Sequence, residues 1–467
     1  MTMWTPDVDR FGKQPRFEAI ADALAADIAA GKLKPGDRLP THRELAERLG
    51  VSLGTVTRAY LLAEQRGLTS GEVGRGTFVR GAPTQDSRGL VELDGRANGA
   101  VEMSVLVPPL AAADHVSAGL RAAINAITER PDLMQVLGYH RQGGTEPHRA
   151  AGAAWIRRTG LPASPDEVLV CASGQHAAMV AVSALARAGD TIMTEALTSP
   201  LLKDLAAWLE LKLHGLPMDE EGLDPEAFEA ACKAGIARVL YCIPTVHNPT
   251  AAIQSDERRR ALAAIAQEYD IAIIEDGVLG MLAPDAPPPL SAYAPEHGCY
   301  LTSLSKTIAP GLRVGYLKAP SRWREEFRFA IRASTWVASP MAAEIAAIWI
   351  GDGTADRIAA SHREEAAARQ QLVQQLLGGW EYDSQPTAYH LWLHIPEPWR
   401  SSEFVAACRE RGVTITSPEA FVPGRGSAPH AARVCLGQPA SRARMVDGLR
   451  AIVEVLDLTA PYAHSIV

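Results

Sequence analysis

Between residues 81 and 100 the sequence GAPTQDSRGLVELDGRANGA is made of small and polar residues with neither helical nor strand periodicity. This break constrains the fold more than any other feature. A chain of 467 residues exceeds what one ordinary hydrophobic core supports. The break divides it into a head, residues 13–80, and a body, residues 101–467, joined by a linker. With 47% hydrophobic and 21% charged residues, both parts have the makings of a globular core. There is no uncharged apolar run of about 18 residues and no basic-then-apolar start, so a cytoplasmic protein without membrane spans is expected. Cysteines 171, 232, 242, 299, 408 and 435 form no C-x-x-C pair and no cluster with histidines, so buried thiols are expected and a metal site is not.

The head reads as three helices and a hairpin. Phe17, Ile20, Leu24 and Ile28 recur at helical spacing up to Gly31. Thr41 and Glu44 form a T-x-x-E capping box for a short helix ending at Gly50. Ser52 can cap a third helix running to about Arg66, so a short glycine-containing turn joins the second helix to the third. Two short apolar runs flank Gly74-Arg75-Gly76, which puts an arginine at a hairpin tip. Ser52, Thr55 and the free amides of the third helix could meet phosphates or base edges, with Arg43, Arg58 and Arg75 supplying charge. Three helices and a hairpin also build protein-interaction modules. The net charge of -8 does not decide between the two, because residues 1–80 hold twelve basic and ten acidic side chains and the acidity lies in the body.

From about residue 101, short apolar runs ending in polar or small residues alternate with alanine-rich helical stretches, the pattern of an α/β fold on a mainly parallel sheet. Ligands collect at the carboxyl ends of such strands. Val168-Leu169-Val170 runs into Ser173-Gly174-Gln175-His176 and a helix, a backbone cradle suited to phosphate. Arg238–Ile243 ends in Pro244-Thr245-Val246-His247-Asn248-Pro249, where Asn248 could donate to a phenolate oxygen or merely form a turn. Ile271–Ile274 ends in Glu275-Asp276, a carboxylate placed to pair with a buried cation or to cap a helix. Tyr300–Ser305 ends in Lys306, flanked by hydroxyls and followed seven residues later by Arg313. That neighbourhood suits an imine to an aldehyde whose phosphate Ser303, Ser305 and Arg313 hold.

Two resemblances follow from these residues. The stretch G-K-L-K-P-G-D-R-L-P-T-H-R-E-L-A-E-R-L-G-V-S-L-G-T-V-T-R-A-Y with G-R-G-T-F-V beyond it resembles the GntR family of winged-helix regulators over residues 16–80. Leu53 departs from it, standing where that family often has an arginine. The ordered segments Ser-Gly-Gln, Asn-Pro-Thr, Glu-Asp and Ser-x-Ser-Lys-x6-Arg resemble fold type I, aspartate-aminotransferase-like enzymes over roughly residues 101–460. That resemblance implies pyridoxal 5'-phosphate as an imine on Lys306, Asp276 on its ring nitrogen and Asn248 on its ring oxygen. It assigns the phosphate to Ser173, Gly174, Gln175, Ser303, Ser305 and Arg313, and a carboxylate of the effector or substrate to Arg433.

The combination resembles the MocR subfamily. It implies a regulator that binds double-stranded operator DNA, responds to pyridoxal phosphate or an amino compound, and forms a head-to-tail, domain-swapped homodimer. Ser199 and Val278 stand where the enzymes commonly carry tyrosines. Ser199 cannot stack on a pyridine ring and Val278 cannot bond its oxygen, though His176 could supply stacking. Losing these controls on proton transfer favours ligand sensing over turnover. The alternative is an active aminotransferase with an accessory head.

Overall fold

The computed structural model describes residues 4–8, 14–34, 37–66, 68–72, 76–79, 99–424 and 426–458. It divides into two compact units, Met1–Leu93 and Asp94–Val467. The predicted wing tip at Arg75 and most of the linker lie outside the described residues.

In the first unit the helices are Arg16–Ala29, His42–Leu49 and Leu53–Gln65, followed by the antiparallel strands Thr69–Glu72 and Gly76–Val79. Their ends are where the side chains dictate. Thr41 closes the full capping box with Glu44, Gly50 takes a left-handed φ of 60° after the second helix, and Ser52 accepts from Thr55 N at the start of the third. Ile20, Leu24, Leu45, Val56, Ala59 and Tyr60 form the small core. The Tyr60 hydroxyl donates to Pro40 O at 2.8 Å, which ties the third helix to the segment before the second.

The second unit is an α/β fold with a mainly parallel sheet, as the pattern of apolar runs predicts. Its seven strands lie in the order Val168–Cys171, Gly315–Lys318, Gly298–Ser303, Ala272–Asp276, Val239–Cys242, Thr191–Glu195, Lys212–Leu216. Only Gly315–Lys318 runs antiparallel to its neighbours. The strands Val168–Cys171, Gly315–Lys318, Gly298–Ser303, Ala272–Asp276 and Val239–Cys242 are buried along their whole length, as a sheet covered by helices on both faces requires. A smaller antiparallel sheet, Tyr382–Ser384, His390–His394 and Ala431–Cys435, packs with the helices Thr354–Leu377, Ser401–Glu410 and Arg442–Asp457 around a separate core. All six cysteines are buried and unpaired. Among the described residues no helix is long and apolar enough to cross a membrane.

One glycine decides how the loop after the first sheet strand is held. Gly315 pairs with Cys171, and a Cβ on it would stand 2.4 Å from the Ser173 carbonyl and 2.8 Å from Gly174 N. The Ser173-Gly174 turn therefore lies directly on the backbone of the neighbouring strand. Gly315→Ala must displace that turn and is expected to cost about 1–3 kcal/mol. Thermal unfolding checks this, and an unchanged midpoint would contradict the packing described.

Candidate functional site

The large sheet gathers the predicted body residues at the carboxyl ends of its strands, except Arg433, which comes from the strand Ala431–Cys435 of the small sheet. Ser173 caps the helix Gly174–Leu185, its Oγ accepting from His176 N at 3.0 Å. The first-turn amides of Gly174 and Gln175 have no intrahelical acceptor and carry the positive end of the helix dipole. A Cβ at Gly174 would meet Ser303 Cβ and Val278 Cγ2, both at 3.0 Å, so three of the predicted segments touch here. Ser303 is buried and braces the lysine loop: its Oγ donates to Val314 O at 3.2 Å and accepts from Ser305 N at 3.1 Å. The Ser305 hydroxyl, also buried, has no hydrogen-bond partner among the described residues. Arg313 is exposed, with a left-handed φ of 52°.

Asp276 ends the strand Ala272–Asp276 at 8% exposure. Its Oδ2 accepts from the Tyr241 hydroxyl at 2.5 Å and its Oδ1 from Val278 N at 3.0 Å. Burial pushes its pKa up, opposed first by the Tyr241 hydrogen bond, then by Val278 N–H and the charge of Lys306. Glu275, next to it, points the other way and accepts from Leu290 N, Ser291 N and Ser291 Oγ, a structural pin.

Lys306 donates to the carbonyl of Leu106. Burial and the nearby Arg433 guanidinium lower its pKa to about 8. Arg433 in turn donates to Asn248 Oδ1 at 2.7 Å and Ser104 O at 2.6 Å, with its guanidinium 4.8 Å from the centre of the Phe421 ring. Arginine has no acceptor, so this contact fixes the Asn248 amide with its Nδ2 free to donate.

The His176 ring is engaged on both sides: Nδ1 accepts from Ala172 N at 3.0 Å and Nε2 lies 2.8 Å from Ser334 Oγ. Ser199 precedes the helix Pro200–Trp208, and its side chain makes no capping hydrogen bond.

Sequence reasoning missed three features of the site. Tyr241 sits in a fully apolar strand, and its only signal is that a buried tyrosine hydroxyl needs a partner. Glu195 is buried at the end of its strand and accepts from Ile243 N at 2.7 Å; burial raises its pKa to about 7. The Ser104 and Leu106 carbonyls are backbone groups with no side-chain signature.

In the head, Arg43 and Arg58 are exposed. The Arg58 guanidinium lies 4.3 Å from the centre of the Phe17 ring, so the first helix holds it in place. The hydroxyls of Ser52 and Thr55 bond each other at 2.8 Å at the start of the third helix, beside the half-exposed Leu53.

Residues 110–449 match the family model for aminotransferase class I and II, and residues 17–79 that of the bacterial regulatory proteins of the gntR family. Among solved structures, a Pyrococcus horikoshii kynurenine aminotransferase, crystallised with PMP, shares the fold of the body. The TM-score is 0.72 at 19% identity, covering 85% of this chain and 99% of that one. The body is therefore an aminotransferase fold of type I.

The uncharacterized HTH-type transcriptional regulator YdeF of Bacillus subtilis is 31% identical over 455 residues, 97% of each chain. The vitamin B6 salvage pathway transcriptional repressor PtsJ of Salmonella typhimurium is 25% identical, over 89% of this chain and 93% of its own. The chain belongs to the MocR-type HTH transcriptional regulators, in which a gntR-family DNA-binding head precedes an aminotransferase class I and II body.

Pyridoxal phosphate is the cofactor of that aminotransferase family. The donor set fits it: a buried Ser305 hydroxyl without a partner among the described residues, a helix N-terminus at Gly174 against Ser303 of the same loop, a lysine of lowered pKa and a buried carboxylate. The lowered pKa has a direct consequence. Only the neutral amine is nucleophilic, so in cofactor-free protein the reductive methylation of Lys306 is expected to rise with pH and reach half its limit near pH 8. Peptide mass spectrometry measures this, and a midpoint above pH 10 would contradict the environment described.

Proposed function

We propose that this regulator's DNA binding is set by pyridoxal phosphate, or by an amino compound that condenses with it, at Lys306. The observation carrying this reading is the Lys306 amine, in a site whose other charged groups, Asp276 and Arg433, are bonded to neutral partners. When bound, pyridoxal phosphate supplies an aldehyde that condenses reversibly with primary amines. Lys306 would hold the aldehyde end, and the amides of Gly174 and Gln175, the hydroxyls of Ser173 and Ser305 and the guanidinium of Arg313 would hold the phosphate, while Ser303, whose one hydroxyl proton goes to Val314 O, braces the loop. Asp276 would keep a negative charge beside the ring nitrogen, and Asn248 Nδ2 would donate to the ring oxygen. Arg433 binds a carboxylate by exchanging its carbonyl partner for a charged one. PtsJ is named for vitamin B6 salvage, which supports the cofactor itself as an effector.

Val278 and Ser199 bear on turnover. Val278 cannot hydrogen-bond the ring oxygen and Ser199 cannot stack on the ring as tyrosine does, so the site holds a ligand without the tuned proton transfer that an efficient transaminase needs. Steady release of keto acid from an amino acid, without sequence-specific DNA binding, would favour the enzyme instead.

The head binds a double-stranded operator through Ser52, Thr55, Arg43 and Arg58, with Arg75 at the wing. A homodimer offers two heads to paired half-sites. Met134, Leu137 and Tyr139, the last 92% exposed and edge-on to Trp336, form an apolar surface for the second copy.

Two experiments test this reading. Replacing Arg43 and Arg58 together by alanine is expected to abolish the gel shift on the DNA upstream of the protein's own gene and its neighbours; undiminished binding would count against the head assignment. Lys306→Ala is expected to remove the visible absorbance of the cofactor-loaded protein, and its persistence would place the covalent link elsewhere.

A further inference from the structure

Tyr241 lies opposite Ile274 in the pairing of Val239–Cys242 with Ala272–Asp276. Side chains alternate along a strand, so its ring shares a sheet face with Asp276, two residues beyond Ile274. The hydroxyl donates to Asp276 Oδ2 at 2.5 Å, and the tyrosine is wholly buried. A buried hydroxyl costs stability unless it is bonded, and phenylalanine would fill an apolar strand without that cost. The titratable groups whose charges act on the pair are Glu195 from the next strand, Cys242 beside Tyr241, Tyr300 from the strand on the far side of Asp276, and Lys306 from the loop beyond. Of these only Lys306 is a cation. Tyr241 is the group that most favours the charged form of Asp276.

We propose that Tyr241 is a positioning residue for the cofactor: by donating to Oδ2 it keeps the Asp276 carboxylate anionic and fixed, so that it can pair with the protonated ring nitrogen of pyridoxal phosphate. This rests on the assignment of Asp276 to that nitrogen. A charge-assisted hydrogen bond between two buried groups is among the stronger ones, and without it Asp276 takes up a proton more readily. A neutral acid cannot form the ion pair. Val278 N–H then remains as the carboxylate's other donor, which explains why the loss is partial.

The test compares full-length wild type, Tyr241→Phe, Asp276→Asn and the double variant. Each is stripped of cofactor and titrated with pyridoxal phosphate and with an analogue in which carbon replaces the ring nitrogen. Tyr241→Phe keeps the ring and its packing. It is expected to weaken pyridoxal phosphate binding about tenfold, with the fall in affinity toward acid starting about one pH unit higher than in wild type. The analogue should bind Tyr241→Phe as it binds wild type, and Tyr241→Phe should add nothing in the Asp276→Asn background. Equal weakening for both ligands would overturn the proposal, because a residue that merely shapes the pocket acts on both. Weak binding by Asp276→Asn with normal binding by Tyr241→Phe overturns it too, while leaving the Asp276 assignment standing. Normal binding by Asp276→Asn overturns both.

Discussion

The site depends on charged groups being buried beside neutral partners. Asp276 is held by a hydroxyl and an amide N–H, Lys306 by the Leu106 carbonyl, and Arg433 by the Asn248 amide and the Ser104 carbonyl. Removing an ion from water costs several kcal/mol, roughly, even after relaxation, and hydrogen bonds to neutral groups offset only part of this. A ligand carrying a phosphate, a protonated ring nitrogen and a carboxylate would relieve that cost at several points together. The large sheet brings Asp276 and Lys306 together because its parallel strands end at one edge, and the small sheet supplies Arg433.

The groups assigned to the ligand are bonded to the chain segment that follows the linker. Ser104 and Leu106 stand just after Val101–Glu102, which pairs with Val413–Thr414 of the body. Their carbonyls are the acceptors for Arg433 and Lys306, the groups assigned to effector and cofactor. Binding at either cation competes with its hold on this segment. Coupling between two sites requires a ligand to distinguish two arrangements, and on the proposed assignments these are the two hydrogen bonds that a ligand would exchange.

Much of this was legible in the sequence because the chemistry sits where strands stop. Ser173 and the Glu275-Asp276 pair each follow an unbroken apolar run, and Lys306 follows a strand that ends in hydroxyls; a polar residue at such a place has few structural duties. The head was legible for another reason: the Thr41–Glu44 box and Gly50 set helix ends through local backbone chemistry. The bond between Arg433 and Asn248 was not legible, since it joins residues 185 positions apart and depends on how the small sheet packs. Nor was the duty of Ser303, which reads as a phosphate ligand but also braces the lysine loop through Val314 O and Ser305 N. Tyr241 was hidden within a strand whose apolar pattern describes the core and says nothing of a hydroxyl at its far end.

The central claim is that the body's ligand site governs the head's hold on DNA. It is tested most directly by fluorescence anisotropy of operator DNA titrated with full-length protein, with and without saturating pyridoxal phosphate, for wild type and Lys306→Ala. The account predicts that the cofactor changes the wild-type Kd by about tenfold or more and leaves the Lys306→Ala Kd unchanged. A wild-type Kd indifferent to the cofactor, or an equal shift in both proteins, would contradict it.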